Sequence, residues 1–241
     1  MCNMGGMKRM IIYSYGTVFN VGTHAVVNTV NCSGVMGAGI ALEFMLRYPA
    51  MFEDYADKCE DKRIKTGKVD YYKNEDASII VNFPTKWHFK YPSKLSWIEQ
   101  GLQDFVKTYK NVGITSVAFP KLGTSNGGLN WNEVKMLMEK YLSNLDIDVY
   151  ICLDKKKEAE GVEKIMLDKF NSTSIEQLSS LVKLNAKQKE NIQNRIPYNR
   201  FWKISETDSI GMKTYSMIFK HFYSEALGNS EEPVQLSIFD M

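Results

Sequence analysis

One pattern, repeated in the first half of the chain, restricts its fold more than any other feature. A β-branched run, Ala25–Val30, leads into Asn31-Cys-Ser-Gly-Val-Met-Gly-Ala-Gly39, and a helix is expected directly after it. A second run, Ser116–Phe119, leads into Pro120-Lys-Leu-Gly-Thr-Ser-Asn-Gly-Gly128, with a helix expected from Trp131. Glycines let a backbone turn sharply and approach a ligand closely. A helix starting just beyond adds unpaired N–H groups and a partial positive charge. One such loop is an ordinary strand-to-helix turn. Two of them, leaving the carboxyl ends of strands, form a grip for a pyrophosphate, because ligands of open α/β sheets bind at that edge.

The rest of the first part fits such a sheet. Strands are expected at Arg9–Tyr13, Ala25–Val30, Val69–Tyr72, Ser78–Phe83, Ser116–Phe119 and Ile147–Leu153. Leu95, Ile98, Leu102, Phe105, Val106 and Tyr109 share one helical face, as do Val134, Leu137, Tyr141, Leu142 and Leu145. Val162, Ile165, Met166 and Phe170 make a further stripe. Strands alternating with amphipathic helices imply an α/β fold with a sheet covered on both faces. Asn-Ser-Thr-Ser at 171–174 offers turn and N-cap chemistry, so a boundary is expected there. The expected organisation is an α/β domain over 8–171, a helical region over 174–227 and a flexible tail over 228–241. In the second region, polar helices are expected near 175–183 and 186–195. An aromatic segment, Tyr198–Ile204, follows them, and then a helix with Tyr215, Ile218, Phe219, Phe222 and Ala226 on one face.

Composition narrows the function classes. No apolar stretch approaches the roughly 20 residues of a membrane span, and the first ten residues lack the apolar core of a secretory signal, so a cytoplasmic protein is expected. Cys2, Cys32, Cys59 and Cys152 have no close pair, which fits neither a zinc site nor a disulfide framework. No cofactor is expected. The net charge of +2 excludes a strong whole-protein field, so nucleic-acid contact requires a local patch. Residues 174–223 carry eight Lys or Arg against four Asp or Glu.

A third loop joins the two glycine loops. The run Ser78–Phe83 ends at Pro84-Thr85-Lys86-Trp87-His88, and in a parallel sheet Lys86 leaves the same edge. Together these segments resemble the ligand loops of macrodomains, in the branch that holds the DarG antitoxins and the animal terminal ADP-ribose glycohydrolases. Asn28 through Ala41 resembles the first ligand loop. Asn82-Phe-Pro-Thr-Lys-Trp-His88, followed by Pro92 through Leu102, resembles the lysine motif and its helix. Pro120 through Trp131 resembles the second phosphate loop. The resemblance covers about residues 8–153. It implies a three-layer αβα macrodomain with a mixed sheet, an ADP-ribose cleft and no metal.

The resemblance carries residue roles with it. Asn28, Asn31, Gly34, Val35, Met36, Gly37, Ala38 and Gly39 would line the cleft from one side. From the other side come Leu122, Gly123, Thr124, Ser125, Asn126, Gly127, Gly128 and Leu129, with Thr85 between the two loops. Asn28 and Asn31 would hold ribose hydroxyls. Lys86 would be the catalytic nucleophile, attacking the anomeric carbon of the distal ribose. A lysine acts so only when its pKa falls, and Phe83, Trp87 and Phe89 offer apolar neighbours that would lower it. Trp87 and His88 are candidate base contacts. Trp87 and Phe89 are candidates for stacking on a base, with packing against the 95–109 helix expected for at least one of them. His24 and His221 are expected to be structural hydrogen-bonders.

Two residues depart from the family. Thr17 follows Gly16 where many macrodomains have an adenine-binding acid. Gly127 stands where the animal glycohydrolases have an aspartate partner for their lysine, and this looks more like the DarG type, which acts on ADP-ribose attached to thymine in DNA. Three readings stay open: a hydrolase acting on ADP-ribosylated single-stranded DNA, a module that binds ADP-ribose without turnover, and a hydrolase acting on protein side chains. A cognate toxin is an expected partner of the first reading. In the tail, Gln235, Leu236, Ile238 and Phe239 resemble the pentapeptide by which bacterial proteins dock on the replication sliding clamp.

Overall fold

A computed structural model describes residues 11–228; the clamp-like residues Gln235, Leu236, Ile238 and Phe239 lie outside the described residues. The chain forms two compact units that divide between Lys155 and Lys156.

The first unit is built on a six-stranded sheet of order β1-β6-β5-β2-β4-β3. The strands are β1 (Ile11–Ser14), β2 (Ala25–Asn31), β3 (Asp70–Lys73), β4 (Ile79–Lys86), β5 (Ser116–Pro120) and β6 (Asp148–Cys152). All neighbours are parallel except β3, which runs antiparallel to β4 at one edge. The sheet is therefore mixed. Each expected strand is present, because buried parallel strands read as dense β-branched and aromatic runs.

Helices cover both faces. On one side, α3 (Leu95–Val112) and α4 (Trp131–Leu142) pack Ile98, Leu102, Phe105, Val134 and Met138 against Val27, Val81, Phe83 and Phe119. On the other, α1 (Gly39–Arg47) and α2 (Pro49–Glu60) bury Phe44, Met51 and Tyr55 with Val30 and Ile80. Pro49 separates these two helices, since it fixes its own φ and disfavours helical geometry at Tyr48 before it. Gly101 of α3 sits so close to β4 that a Cβ there would meet the Phe83 ring at 2.4 Å. The helix thus lies directly on the strand that ends at Lys86.

The second unit holds α5 (Gly161–Ser172), α6 (Ile175–Val182), α7 (Ala186–Gln193) and α8 (Met212–Ala226), with a 3-10 turn at Phe201–Glu206. The expected boundary near 172 is corrected here, because α5 belongs with the later helices. Its Phe170 ring meets Tyr198, Phe201 and Phe222 at centroid distances of 5.7, 6.0 and 5.4 Å. Glu163 of α5 accepts a buried 2.9 Å bond from Arg200 Nε and another of 2.9 Å from the Phe201 amide. The turn chemistry at 171–174 is real, but it starts α6: Ser174 and Gln177 form a reciprocal capping box. Asn185 and Gln188 form a second one at α7. His221 lies 3.5 Å from Glu225 one turn on, in keeping with a structural role.

Candidate active site

Parallel pairing of β2 with both β4 and β5 sends three chain segments off one sheet edge: 32–38, 87–94 and 121–130. They are tied to one another. The Cys32 amide donates to the Trp87 carbonyl at 3.3 Å, and the Phe89 amide to Ser33 Oγ at 3.4 Å. The Ser93 amide donates to the Gly127 carbonyl at 2.9 Å. A Cβ on Gly39 would sit 3.2 Å from Asn126 Nδ2, so the first and third loops also meet.

The first loop is shaped by Asn31. A register shift between Val30 and Asn31 brings Asn31 opposite Lys86. Asn31 Oδ1 accepts from the Ser33 amide at 2.9 Å, Ser33 Oγ at 2.7 Å and the Tyr55 hydroxyl at 3.2 Å, while Nδ2 donates to the Val35 carbonyl at 2.5 Å. Its amide is committed to the turn. Gly34 takes φ +75° within it. Met36 is buried under the loop, and Val35, Gly37, Ala38 and Gly39 face solvent. Beyond them α1 begins with Ala38 as its N-cap and no side chain capping it, so its first amides stay available to an anion.

Asn28 lies deeper. It is fully buried, and Nδ2 donates to Asn82 Oδ1 at 3.2 Å on the neighbouring strand. Among the described residues, Asn28 Oδ1 and Asn82 Nδ2 have no hydrogen-bond partner, nor does the buried Ser93 Oγ. An unpartnered buried amide or hydroxyl costs roughly 1–3 kcal/mol, so these atoms mark polar positions that a ligand or water can satisfy. Asn82 and Ser93 were not among the residues expected from sequence. A strand asparagine and a loop serine give no local signal; only the strand register, which pairs Asn28 with Asn82, brings the two amides together. Asn28 thus sits in a buried amide pair, and Asn31 shapes the turn of the first loop.

The loop after β5 closes on itself. The Leu129 amide donates to the Gly123 carbonyl at 3.0 Å, and the Gly128 amide to the Ser125 carbonyl at 3.0 Å. Gly123 and Gly128 have φ of +65° and +75°. At Gly127 a Cβ would lie 2.3 Å from both the Gly123 carbonyl oxygen and Ser93 Oγ. A side chain there would force the Gly123 backbone and Ser93 to shift. Leu122 is buried, Thr124 donates to the Lys121 carbonyl at 3.2 Å, and Ser125 and Asn126 form the exposed rim.

Lys86 ends β4 between these loops. Its Nζ donates to the Phe89 carbonyl at 3.4 Å, and it makes no ion pair among the described residues. Burial holds its pKa below the ordinary 10.5. Phe83, three residues before it, packs on Gly101 of α3. Packing on the 95–109 helix was expected for at least one of Trp87 and Phe89, but the two rings are 62% and 42% exposed. Thr85 is buried and bonds the Val30 carbonyl at 3.4 Å. The nearby Cys32 is no rival nucleophile, since burial, reinforced by Cys59, pushes its thiol up to about 11. His88 Nδ1 accepts from the Lys90 amide at 3.3 Å. His24 bonds the Ala77 carbonyl and the Thr115 amide at the start of β2, away from the site and in the structural role expected of it.

Fold and edge together define a class: a three-layer α/β domain whose glycine loops, suited to phosphate, flank a partly buried lysine. Residues 27–138 match the family model described as Macro domain. A Mycobacterium tuberculosis protein named DNA ADP-ribosyl glycohydrolase is 41% identical over 164 residues, covering 66% of this chain and 47% of that protein. The solved macrodomain of Thermus aquaticus DarG is 35% identical, with a TM-score of 0.57, and the match covers 60% of this chain and 98% of that one. The structure of Thermosipho africanus DarTG in complex with ADP-ribose is 34% identical over 65% of this chain and 46% of that one, with a TM-score of 0.57. The chain belongs to the macrodomain family. It spans about half the length of the curated relatives it matches.

Proposed function

We propose that this protein removes ADP-ribose from single-stranded DNA, with thymidine as the modified nucleoside and Lys86 as the nucleophile. The observation that carries the proposal is the lysine itself. Its amine has no carboxylate partner among the described residues, has a pKa lowered by burial, and stands where three hydrogen-bonded loops meet. In the reaction, the Nζ lone pair forms a bond to the anomeric carbon of the distal ribose. The bond from that carbon to the thymine nitrogen breaks, and its electron pair leaves with the base, which takes a proton. Water then displaces the lysine and yields free ADP-ribose. The α1 N-terminus and the rim at Thr124–Asn126 hold the pyrophosphate. Asn28, Asn82 and Ser93 supply buried polar atoms beneath the ribose side. The name of the Mycobacterium tuberculosis relative and the bound ligand in the Thermosipho africanus structure support this reading. A cognate toxin that installs the modification belongs to the same proposal.

The test offers ADP-ribosylated single-stranded DNA and ADP-ribosylated protein side by side. Release from DNA alone is expected, and Lys86→Ala should lose turnover while retaining most ADP-ribose affinity. Because only the free amine attacks, the rate should climb with pH, and its rising limb should lie below 10.5. Undiminished hydrolysis by Lys86→Ala would remove the lysine from the mechanism. Release from protein instead of DNA would overturn the substrate.

A further inference from the structure

The segment after Lys86 gathers three exposed rings within five residues. Phe44, Phe83, Phe105, Phe119, Phe170, Phe201, Phe219 and Phe222 are all fully buried. Over 87–91, by contrast, Trp87, Phe89 and Tyr91 are 62%, 42% and 56% exposed. The rings are ordered against one another. Trp87 and Tyr91 lie nearly parallel, 16° apart with centroids 6.2 Å apart, and His88 stacks on Phe89 at 4.5 Å. Their backbone is fixed at both ends. The Trp87 carbonyl accepts from Cys32 of the first glycine loop, and the Phe89 carbonyl accepts from Lys86 Nζ. The surrounding charge has one sign: between Asp76 and Glu99 the chain carries Lys86, Lys90 and Lys94 and no acid. Lys90 Nζ lies 5.6 Å from the Phe89 ring.

We infer that Trp87 and Tyr91 form a stacking platform for an unpaired base next to the ADP-ribosylated nucleotide, with Lys90 and Lys94 meeting the adjoining phosphates. The inference rests on the nucleic-acid reading above and adds to it a second subsite, separate from the one for ADP-ribose. Exposed aromatic faces beside lysines are how proteins hold single strands without reading sequence, because every base has a π-face. Paired bases cannot reach the rings, since in a duplex both faces of a base are already stacked. The platform therefore selects single strands. It also ties substrate length to the chemistry, because the carbonyl that restrains the Lys86 amine lies within the platform loop.

Two measurements separate this inference from the hydrolase reading. In the first, fluorescence anisotropy follows binding of an unmodified labelled oligonucleotide, as single strand and as duplex. The single strand should bind more tightly. Trp87→Ala and Tyr91→Ala should each weaken it about tenfold, and Trp87→Phe should restore most of the loss. Lys90→Gln with Lys94→Gln should flatten the salt dependence. In the second, kcat/KM is compared for an ADP-ribosylated oligonucleotide and for ADP-ribosyl thymidine. The ratio of the two should fall about tenfold in Trp87→Ala and Tyr91→Ala. Melting curves confirm that the variants are folded. Equal binding of single strand and duplex, or wild-type binding and an unchanged ratio in both alanine variants, would overturn the platform. Platform-dependent binding with no hydrolysis by the wild type would leave the platform standing and remove the hydrolase reading instead.

Discussion

The loop after β2 enters α1 with no side chain capping the helix, whereas the loop after β5 enters α4 under Asn130, whose side chain accepts from the Asn132 amide at 2.8 Å. Both come from the same strand–glycine–helix pattern, but they use their backbone differently. In the second loop, Gly123, Ser125, Gly128 and Leu129 bond one another, and Gly127 is wedged against Ser93. In the first, one side chain, Asn31, holds the turn, and Gly37, Ala38 and Gly39 are left exposed at an open helix end. The difference assigns unequal tasks to two similar motifs. In the reading proposed above, the first is a surface for an anion, and the second is a frame whose rim contributes at Thr124–Asn126.

Substitution at the frame should cost most. Gly127→Asp places atoms where the Gly123 carbonyl and Ser93 already are, so the loop must open. A loss of about 1–3 kcal/mol in stability is expected, as for other overpacked sites. ADP-ribose affinity should fall with it, by more than tenfold in calorimetry. If Gly127→Asp melts like the wild type, the loop has slack that its geometry does not show.

Gly37→Glu should separate the two tasks. The position is exposed, so stability should hold within about 0.5 kcal/mol, the usual range for surface changes. Binding of ADP-ribose, expected at roughly −6 to −8 kcal/mol for the wild type, should become undetectable because a carboxylate meets the pyrophosphate. Gly123→Glu should lose both binding and stability, since Gly123 is buried at φ +65°. Matching behaviour of the two variants would erase the distinction between the loops.

The sequence made this much of the molecule legible because the responsible signals are local. Six hydrophobic runs became six strands, and two glycine clusters became the loops at their ends. What stayed hidden depends on partners distant in sequence. The apolar stripe of α5 looks the same whether it faces a sheet or other helices, and only the rings around Phe170 and the Glu163–Arg200 pair decide it. Phe83 rests on Gly101 of α3, a contact between residues distant in sequence that no local pattern announces. Asn31 could be named as a loop residue, but its bond from the Tyr55 hydroxyl requires α2 to be in place. The exposure of Trp87 and Tyr91 ran against the ordinary expectation that large rings pack inward.

The finest test of the comparison adds to the first loop what the second already has. Ala38 sits at φ −158° and ψ 160°, the extended backbone of an N-cap residue, but its methyl group cannot accept from the helix amides. Ala38→Asp should supply that acceptor and place a negative charge at the positive end of α1, stabilising the fold by about 0.5–1 kcal/mol. The same carboxylate would occupy the amides proposed for the pyrophosphate, so ADP-ribose should bind more weakly as the melting temperature rises. Ala38→Asn keeps the acceptor without the charge and should fall between Ala38→Asp and the wild type in both measurements. The reciprocal change, Asn130→Ala, removes the cap of α4 and should cost about 1 kcal/mol of stability, with ADP-ribose affinity unchanged. Calorimetry and thermal melting on these three variants are sufficient. If Ala38→Asp gains stability and still binds ADP-ribose like the wild type, the open end of α1 is not where the pyrophosphate sits, and the two loops differ in form but not in task.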